Sequence, residues 1–481
     1  MNISILWQGR NVINEFLEVL SIYFLIMKCY YYESKIIFGI MLVVIAALAA
    51  WNVSLSAINN EMSILILDNI EVMANGEQSR NGDCQIVKQT SGTVNFSQTF
   101  ERKGNEAEID LDNIKTKTED YFLYSSMYKS VKTILLETNE LCLIGRITKI
   151  RVYDKFFIVM DGSIAKSLYI FDKEGHFVRK IGSTGQGPGE YLSPSDFSVD
   201  KVGNLIYVLD NQLNRINVYD LRTGKFVRSI VFGDNNVRSH NIEYVGGILF
   251  ADAYFREQSD DNYLIRIIQD PSGKIDGRFL NVKEYRKGVS NTSFGNRNVF
   301  YLRENGNAVF VQPFMDKIIE ISKDSVFSLF DIKSNDVLTS EIIKSAMEKD
   351  ANRYYLDLIK YNKYFLISDL VDHGNMIQFR YQKGTGLRWI LYNKQTFEVT
   401  IFQKIWDDFV YISKDANGTP LPYFGCNDSS GVFYFYDTNQ VPMIHQFAKD
   451  GLLSPELNKL DELKNLDEEA NPIIFFYEFK D

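Results

Sequence analysis

The chain has 481 residues, a formal net charge of −10 and 45% hydrophobic residues. The acidic balance excludes a typical nucleic-acid binder, because phosphate binding needs basic patches. The 28 Tyr and 34 Phe favour strands over helices. Cys29, Cys84, Cys142 and Cys426 lie far apart without a CxxC pair, which argues against a zinc site or a disulfide framework.

The N-terminal part of the chain contains an apolar run, KIIFGIMLVVIAALAAW, at residues 35–51. A lysine, a short apolar stretch and the small residues that follow predict an export signal within residues 1–57. The run is also near the lower length for spanning a bilayer, so residues 35–57 are alternatively a retained membrane anchor. Residues 1–26 precede Met27, an alternative start. We expect export to the periplasm or cell surface, with membrane contact through this segment alone.

Residues 58–120 form the next segment, which contains the stretch ILDNIEVMANGE at residues 66–77. Together with the signal, this stretch resembles the NVEALA family of short exported bacterial proteins, although Val72 and Met73 stand where that family has Ala-Leu. The matching residues are Asn69, Ile70, Glu71, Ala74 and Glu77. The alternative is a leader remnant without a role of its own. The polar, Thr/Asn/Glu-rich remainder up to residue 120 predicts a linker.

After the polar segment, the chain contains an internal sequence repeat. FIVMDGSIAKSLYIFDKEGHFVRKI at 157–181 aligns with IYVLDNQLNRINVYDLRTGKFVRSI at 206–230, with most matched positions 49 residues apart. Each unit contains an alternating strand, a turn, a second strand, a glycine turn and a third strand. Self-similarity at this period predicts stacked units such as four-stranded propeller blades.

Fainter units of the same kind continue to the C-terminus, at residues 246–280, 307–330, 375–402 and 431–480. YKSVKTILLE at 128–137 is a strand without a neighbour in sequence. We predict that it pairs with the strand at 471–480 and closes the ring, which hides the sheet edges. The predicted fold class is therefore all-β: a six-bladed β-propeller at 121–481, preceded by the signal or anchor helix.

Two helical stretches interrupt the strands. TSEIIKSAMEKDANRYYLDLIK at 339–360 starts at a Thr/Ser cap, and SPELNKLDELKNL at 454–466 starts with Ser and Pro. Their apolar residues have helical spacing, which predicts small insertions packed outside the ring. A lid that binds a partner is the alternative for the first stretch.

The stretch RKIGSTGQGPGEYLSP at 179–194 poses a choice between a phosphate-binding loop and a joint between blades. Gly182 and Gly187 have the spacing of a P-loop, but Pro188 and a glycine stand where Lys and Ser/Thr are required. A dinucleotide fingerprint fails as well, because Glu190 occupies the position of its last glycine and strand-like sequence follows. The stretch therefore predicts a joint between the first two blades.

This joint carries a second resemblance. Its G-x-G-P-G-E-Y pattern is similar to that of secreted bacterial six-bladed β-propeller proteins, which are related to NHL-repeat folds. The matching residues are Gly185, Gly187, Pro188, Gly189, Glu190 and Tyr191. The resemblance implies a propeller over residues 121–481 and no catalytic residue, because activity is not well defined in that family. We predict that Tyr191 is buried between blades and that Glu190 accepts loop amides.

Recurring carboxylates are the first set of candidate site residues. Four aspartates lie at or near comparable strand ends, namely Asp161, Asp210, Asp252 and Asp437. Converging carboxylates in a channel could hold Ca²⁺, which prefers oxygen ligands. The alternative, which we favour, is that each carboxylate accepts hydrogen bonds from the turn backbone of its own blade.

Large side chains near the predicted inner strand ends are the second set. They are Arg380, Tyr254, Phe255 and Phe314. These residues predict a binding mouth, and the alternative is that the aromatic rings belong to the core.

The sequence thus predicts an exported, monomeric, non-catalytic propeller that binds a protein, a peptide or a glycan at the ring mouth. No metal, cofactor or nucleic acid is expected. A lactonase-like channel hydrolase is the alternative, and Ca²⁺ is expected under that hypothesis alone. A purely structural component of the envelope is a third hypothesis.

Overall fold

A computed structural model describes residues 101–102, 107–232, 237–257, 259, 262–289, 298–349, 354–413, 421–467 and 469–480. The predicted signal, anchor, alternative start and NVEALA-like leader lie outside the described residues. Among the described residues, no helix has both the length and the apolar character needed to cross a membrane.

The first strands precede the ring in sequence. They are β1 (Glu101–Arg102), β2 (Ala107–Asp110), β3 (Thr116–Leu123) and β4 (Tyr128–Leu135). Blade 1 consists of β5 (Lys149–Tyr153), β6 (Phe156–Asp161), β7 (Ser167–Asp172) and β8 (Phe177–Ile181). The joint contains β9 (Ser183–Thr184) and β10 (Glu190–Tyr191). Blade 2 consists of β11 (Pro194–Asp200), β12 (Leu205–Asp210), β13 (Arg215–Asp220) and β14 (Phe226–Val231).

The remaining blades follow the same order, with the first strand innermost. Blade 3, with the separate pair β15 (Val237–Arg238) and β18 (Tyr254–Phe255), contains β16 (Ile242–Val245), β17 (Ile248–Asp252), β19 (Tyr263–Ile268) and β20 (Ile275–Asn281). Blade 4 contains β21 (Phe300–Leu302), β22 (Ala308–Phe310), β23 (Lys317–Ile321) and β24 (Val326–Lys333). Blade 5 contains β25 (Tyr364–His373), β26 (Met376–Lys383), β27 (Gly386–Asn393) and β28 (Val399–Trp406). Blade 6 contains β29 (Tyr423–Asn427), β30 (Gly431–Tyr436) and β31 (Ile473–Phe479).

The prediction of a closed, six-bladed ring is confirmed. Strand β4 pairs antiparallel with β31, and the order in blade 6 is β29-β30-β31-β4. Middle strands such as β6 and β12 are buried almost throughout because a neighbouring blade covers each face. Their sequences are therefore nearly continuous apolar runs. One buried cluster joins Ile134 and Phe433 of blade 6 to Phe157 of blade 1, so the core continues across the closure.

Residues 107–120 are not the linker that the sequence predicts. Strands β1 and β2 pair in parallel with β24, and β3 pairs in parallel with β28, so the segment extends blades 4 and 5 at their outer edges. An outer strand exposes much of its surface, which explains its polar sequence. Within β2, Ile109 alone is fully buried. The period-2 signal of a strand is weak where so few positions face the core.

The helices are shorter than predicted. They are α1 (Tyr124–Met127), α2 (Val282–Tyr285), α3 (Ser340–Lys349), α4 (Tyr354–Leu358), α5 (Val441–Lys449) and α6 (Leu460–Lys464), with 3₁₀ turns at Ile359–Tyr361 and Thr438–Gln440. The prediction over 454–466 is wrong at its start, because Lys459 adopts a left-handed conformation and the helix begins after it. Helix α5 was missed by the sequence analysis. Its Val441, Ile444 and Ala448 are buried against blade 6.

The glycine-rich stretch forms a compact joint between blades 1 and 2. Strands β9 and β10 pair in parallel, and the buried Tyr191 hydroxyl donates to the Ile181 carbonyl at 2.6 Å. The Glu190 carboxylate accepts the Gly187 amide at 2.8 Å. From blade 2, the Tyr219 hydroxyl donates to the Gly189 carbonyl at 3.0 Å. Each of these groups forms its hydrogen bond within the joint or to the adjoining blade, so the stretch has a structural role.

Gly189→Ala is expected to destabilise the protein through this joint. Gly189 has φ of +74°, and an added Cβ would lie 2.8 Å from Cβ of Phe226. Gly306→Ala is the matched control, because Gly306 has φ of +83° with nothing within 4 Å of an added Cβ. The control isolates the backbone cost of about 1 kcal/mol. Chemical unfolding should show a loss for Gly189→Ala that exceeds the control by about 1 kcal/mol or more; equal losses would contradict the joint's close packing.

A buried carboxyl lies among tyrosines where α5, blade 5 and blade 6 meet. Oδ1 of Asp407 accepts the amides of Phe409 at 3.2 Å and Val410 at 3.1 Å, and Oδ2 accepts the Tyr477 hydroxyl. Burial raises the pKa of Asp407 to about 7, although these hydrogen bonds act in the opposite direction. Asp407 is therefore protonated in the folded protein under mildly acidic conditions.

Stability is expected to fall as pH rises from 5 to 7 because of Asp407. In this interval the unfolded chain has an ionised carboxylate while the folded protein retains the proton, so the folded state binds more protons. Its contribution to the free energy of unfolding falls by at most about 1.4 kcal/mol per pH unit. Urea unfolding at several pH values should show a shallower decline for Asp407→Asn. Asp461→Asn, which removes an exposed carboxylate, is the control and should retain the wild-type slope.

Candidate functional site

A cavity of about 570 Å³ lies at the mouth of the ring, on the side where the second strand of each blade ends. It is bounded by blades 1, 4, 5 and 6. Apolar residues form much of its wall, among them Val299, Val311, Pro313, Leu366, Leu387 and Phe424. The charged residues that line it are Arg146, Lys149, Asp369, Arg380 and Asp437. Its volume and its mixture of apolar walls with few charged groups are typical of ligand pockets.

Arg146 lies at the rim of the cavity on the segment that leads into β5. The Arg146 amide donates to Oδ2 of Asp161 at 3.0 Å, and the Ile147 amide donates to Oδ1 of Asp437 at 3.1 Å. Two carboxylates from different blades thus fix the backbone on which Arg146 stands. The guanidinium itself is 61% exposed, and its Nε lies 3.6 Å from Oδ2 of Asp437.

Arg380 lies on β26 and forms an ion pair with Asp369 of the innermost strand β25. Asp369 has φ of +55°, and the register of β25 with β26 shifts between Ser368 and Val371. A bulge of this kind redirects a side chain. The Asp369 amide donates to the Tyr301 hydroxyl at 3.2 Å, which links blade 5 to blade 4.

Below the mouth, charged side chains of the innermost strands form a buried network. Nζ of Lys149 lies 2.7 Å from Asp196 and 3.8 Å from Glu243, and Arg151 donates to Glu243 at 2.9 Å. The same guanidinium donates to the Phe300 carbonyl at 3.3 Å. The network therefore joins blades 1, 2, 3 and 4 and meets the cavity at Lys149. Its two cations balance its two carboxylates.

The buried environment shifts the pKa values of these groups in different directions. Burial raises the pKa of Asp196 to about 6, against the opposing effect of Lys149. Burial also lowers the pKa of Lys149, although Asp196 and Glu243 oppose it. Burial opposes the ionisation of Glu243, but Lys149, Arg151 and the Ser198 hydroxyl together outweigh it and lower its pKa. Glu243 is therefore the firmly ionised carboxylate of the network.

The four recurring aspartates serve the backbone of the mouth. Asp161 accepts the Gly145, Arg146, Ser163 and Ile164 amides, and Asp210 accepts the Leu192, Gln212 and Leu213 amides. Asp252 accepts the His240 and Asn241 amides, and Asp437 accepts the Ile147 and Thr438 amides. Within the described part of the chain, no three His, Cys, Asp or Glu residues are grouped so that they could hold a metal.

The predicted aromatic mouth is wrong for Tyr254 and Phe314. Both are buried, at 6% and 2% exposure, and their rings lie 5.4 and 5.8 Å from the guanidinium carbon of Arg286. Arg286 thus lies against both rings, and Phe314 also belongs to a buried cluster with residues of helices α3 and α4. Phe255 packs edge-on against Tyr263 at 4.9 Å, away from the cavity wall. Arg380 is the member of this predicted set that lines the cavity.

Most of the chain matches the model of one protein family. Residues 106–478 match the family model described as Domain of unknown function (DUF4934). The chain belongs to this family. The match starts at the outer strand β2 and includes all six blades of the DUF4934 domain. No curated protein is similar enough to the chain to count as a relative.

Solved structures of other proteins are similar to the DUF4934 domain to different degrees. A crystal structure of a Bacteroides fragilis protein that is described as exported has a TM-score of 0.60 and 19% sequence identity. The alignment covers 78% of this chain and 99% of the Bacteroides fragilis chain. A DUF4221 member from Bacteroides vulgatus has a TM-score of 0.42 at 11% identity, covering 73% and 96%. Inactive virginiamycin B lyase from Staphylococcus aureus, solved with quinupristin, has a TM-score of 0.39 at 10% identity, covering 72% and 99%. The similarity to the Bacteroides fragilis structure supports the fold and no ligand or activity.

Proposed function

We propose that this DUF4934 protein is an exported, non-catalytic binding protein whose ligand occupies the mouth cavity. The observation that carries the proposal is the cavity of about 570 Å³, bounded by four blades and lined by apolar walls with a few charged groups. A peptide segment, a protein loop or a glycan end would enter there. Two observations support export: the apolar run at residues 35–51, and the similarity to a Bacteroides fragilis protein that is described as exported.

The hydrogen bonds of the recurring aspartates favour binding over the calcium-dependent hydrolase. Asp161, Asp210 and Asp252 each direct carboxylate oxygens to loop amides, which is the role expected of groups that shape a mouth. Asp437 lines the cavity and also accepts backbone amides. We therefore assign these carboxylates to positioning the loops of the binding site.

Filling the cavity tests the proposal. Leu387→Trp places an indole at a half-buried wall position, whereas Leu143→Trp changes a 51% exposed leucine that does not line the cavity. A library of short peptides and oligosaccharides is screened by ligand-observed NMR against wild type and both variants. We expect ligands that wild type and Leu143→Trp bind and that Leu387→Trp loses. Ligands retained equally by Leu387→Trp, or a library without a ligand, would refute a binding role for this cavity.

Export is tested separately from binding. Mass spectrometry of the protein recovered from a bacterial envelope fraction should give an N-terminus near residue 57 for a cleaved signal. Retention of residues 35–51 in the membrane fraction would indicate the anchored form. Recovery from the cytoplasm alone would contradict export.

A further inference from the structure

We propose that the mouth cavity takes its ligand by a carboxylate group, which Arg146 binds while the apolar part of the ligand lies against the cavity walls. The inference rests on the proposed binding function and adds the chemical class of the ligand. The carboxylate belongs either to a small organic acid or to the C-terminal residue of a peptide.

The guanidinium of Arg146 is the least engaged cation of the cavity. Among the described residues its ion-pair partner is Asp437, at 3.6 Å between Nε and Oδ2, which is longer than a hydrogen bond. The other oxygen of Asp437 accepts two backbone amides, from Ile147 and Thr438. A planar guanidinium matches a carboxylate with two parallel hydrogen bonds. Arg146 retains donors for such a pair.

The other two cations of the cavity already have close partners. Arg380 is paired with Asp369 across neighbouring strands of blade 5. Lys149 is buried, and its Nζ lies 2.7 Å from Oδ1 of Asp196. An anionic ligand would have to displace the closely paired carboxylate of Asp369 or the buried carboxylate of Asp196, whereas at Arg146 it adds to a loose, exposed contact. Charge complementarity therefore places the carboxylate at the rim.

The position of Arg146 is fixed before a ligand arrives. Oδ2 of Asp161 accepts both the Gly145 amide at 2.8 Å and the Arg146 amide at 3.0 Å. Asp437 holds the next amide, that of Ile147. Pre-organisation of this kind lowers the entropic cost of binding. The side chain itself stays exposed, so its removal should leave the fold intact.

The remaining wall determines the rest of the ligand. Val299, Val311 and Pro313, next to strands of blade 4, line the cavity together with Leu366 and Leu387 of blade 5. Burial of apolar ligand surface against such walls favours binding. An anionic head at the rim and an apolar body below it fit this distribution.

Two pairs of probes test the inference with purified wild-type protein. Phenylacetate is compared with phenylacetamide, and N-acetylphenylalanine with N-acetylphenylalaninamide, by ligand-observed NMR titration. Each pair keeps the shape and removes the negative charge. We expect the acids to bind about tenfold or more tightly than the amides, and Arg146→Gln to remove that preference.

Matched variants complete the design. Arg222→Gln alters an exposed arginine in the outer hairpin of blade 2 and should leave both acids unaffected. Arg146→Lys keeps the charge without the fork and should bind with intermediate affinity. Thermal unfolding of each variant checks that the fold is retained.

The outcomes separate the inference from the proposed function. Binding of phenylacetate alone assigns a small acid, and binding of N-acetylphenylalanine assigns a peptide terminus; either supports the inference if Arg146→Gln abolishes it. Equal binding of acid and amide, no binding of either acid, or full affinity in Arg146→Gln would overturn it. A neutral library ligand that Leu387→Trp loses would then still support binding in the cavity.

Discussion

Glu243→Gln is expected to lower the free energy of unfolding by about 3 kcal/mol. Glu243 is the ionised partner of Lys149 and Arg151 in the buried network, and both cations lie in the same low-dielectric channel. Glutamine fills nearly the same space, so the loss reports charge. One buried carboxylate, Asp196, would then remain for two buried cations, and burial already opposes its ionisation.

Chemical unfolding measures this effect, and an exposed ion pair provides its control. Glu478→Gln breaks the pair with Lys129, in which both side chains are about 40% exposed, and a much smaller loss is expected. A loss for Glu243→Gln as small as that of the control would contradict the role of the network. A change in ligand affinity at the mouth is expected as well, because Lys149 contacts both sites.

Ile134→Pro is expected to open the ring at blade 6, with a loss of about 3 kcal/mol. The Thr133 amide donates to Asn458 at 2.7 Å and so points away from β31. Alternation along a strand directs the next amide, that of Ile134, towards Ile474 of β31. Proline removes that donor, and it also replaces a side chain that packs between blades 6 and 1.

Unfolding transitions and light scattering test the closure. Ile134→Val keeps the backbone bond and should cost about 1 kcal/mol. For Ile134→Pro we also expect association between molecules, because an unpaired β31 presents a hydrophobic strand edge. A proline variant that is as stable and as monomeric as Ile134→Val would show that β4 does not hold the ring closed.

The blades could be predicted from the sequence where both faces of a strand are buried. The middle strands β6 and β12 carry continuous apolar runs and end in Asp161 and Asp210, so the repeat is visible in composition as well as in spacing. The pairing of β4 with β31 followed from the need to cover two edges. Strand β2 escaped prediction because its single buried position, Ile109, leaves no periodic signal.

The site was less predictable, for a physical reason. Lys149, Arg151 and Glu243 occupy innermost strands, and charged residues in strands ordinarily indicate a solvent-exposed face. Their burial results from the approach of several blades at the axis, which no local pattern encodes. Tyr254 and Phe314 show the converse, because an aromatic residue at a strand end suits a ligand and a core equally well.

The outer position of β2, β3 and β4 also determines when the protein can complete its folding. These strands come early in the chain, yet their partners are β24, β28 and β31, and β31 ends at Phe479. Pairs so distant in sequence give a high contact order and slow folding. During synthesis, β2 and β3 must remain unpaired until β24 and β28 have emerged, and β4 must remain unpaired until the last strand, β31, has emerged. The exposed interval is thus as long as translation of the propeller itself, and it is the stage at which the chain is most vulnerable to aggregation and proteolysis.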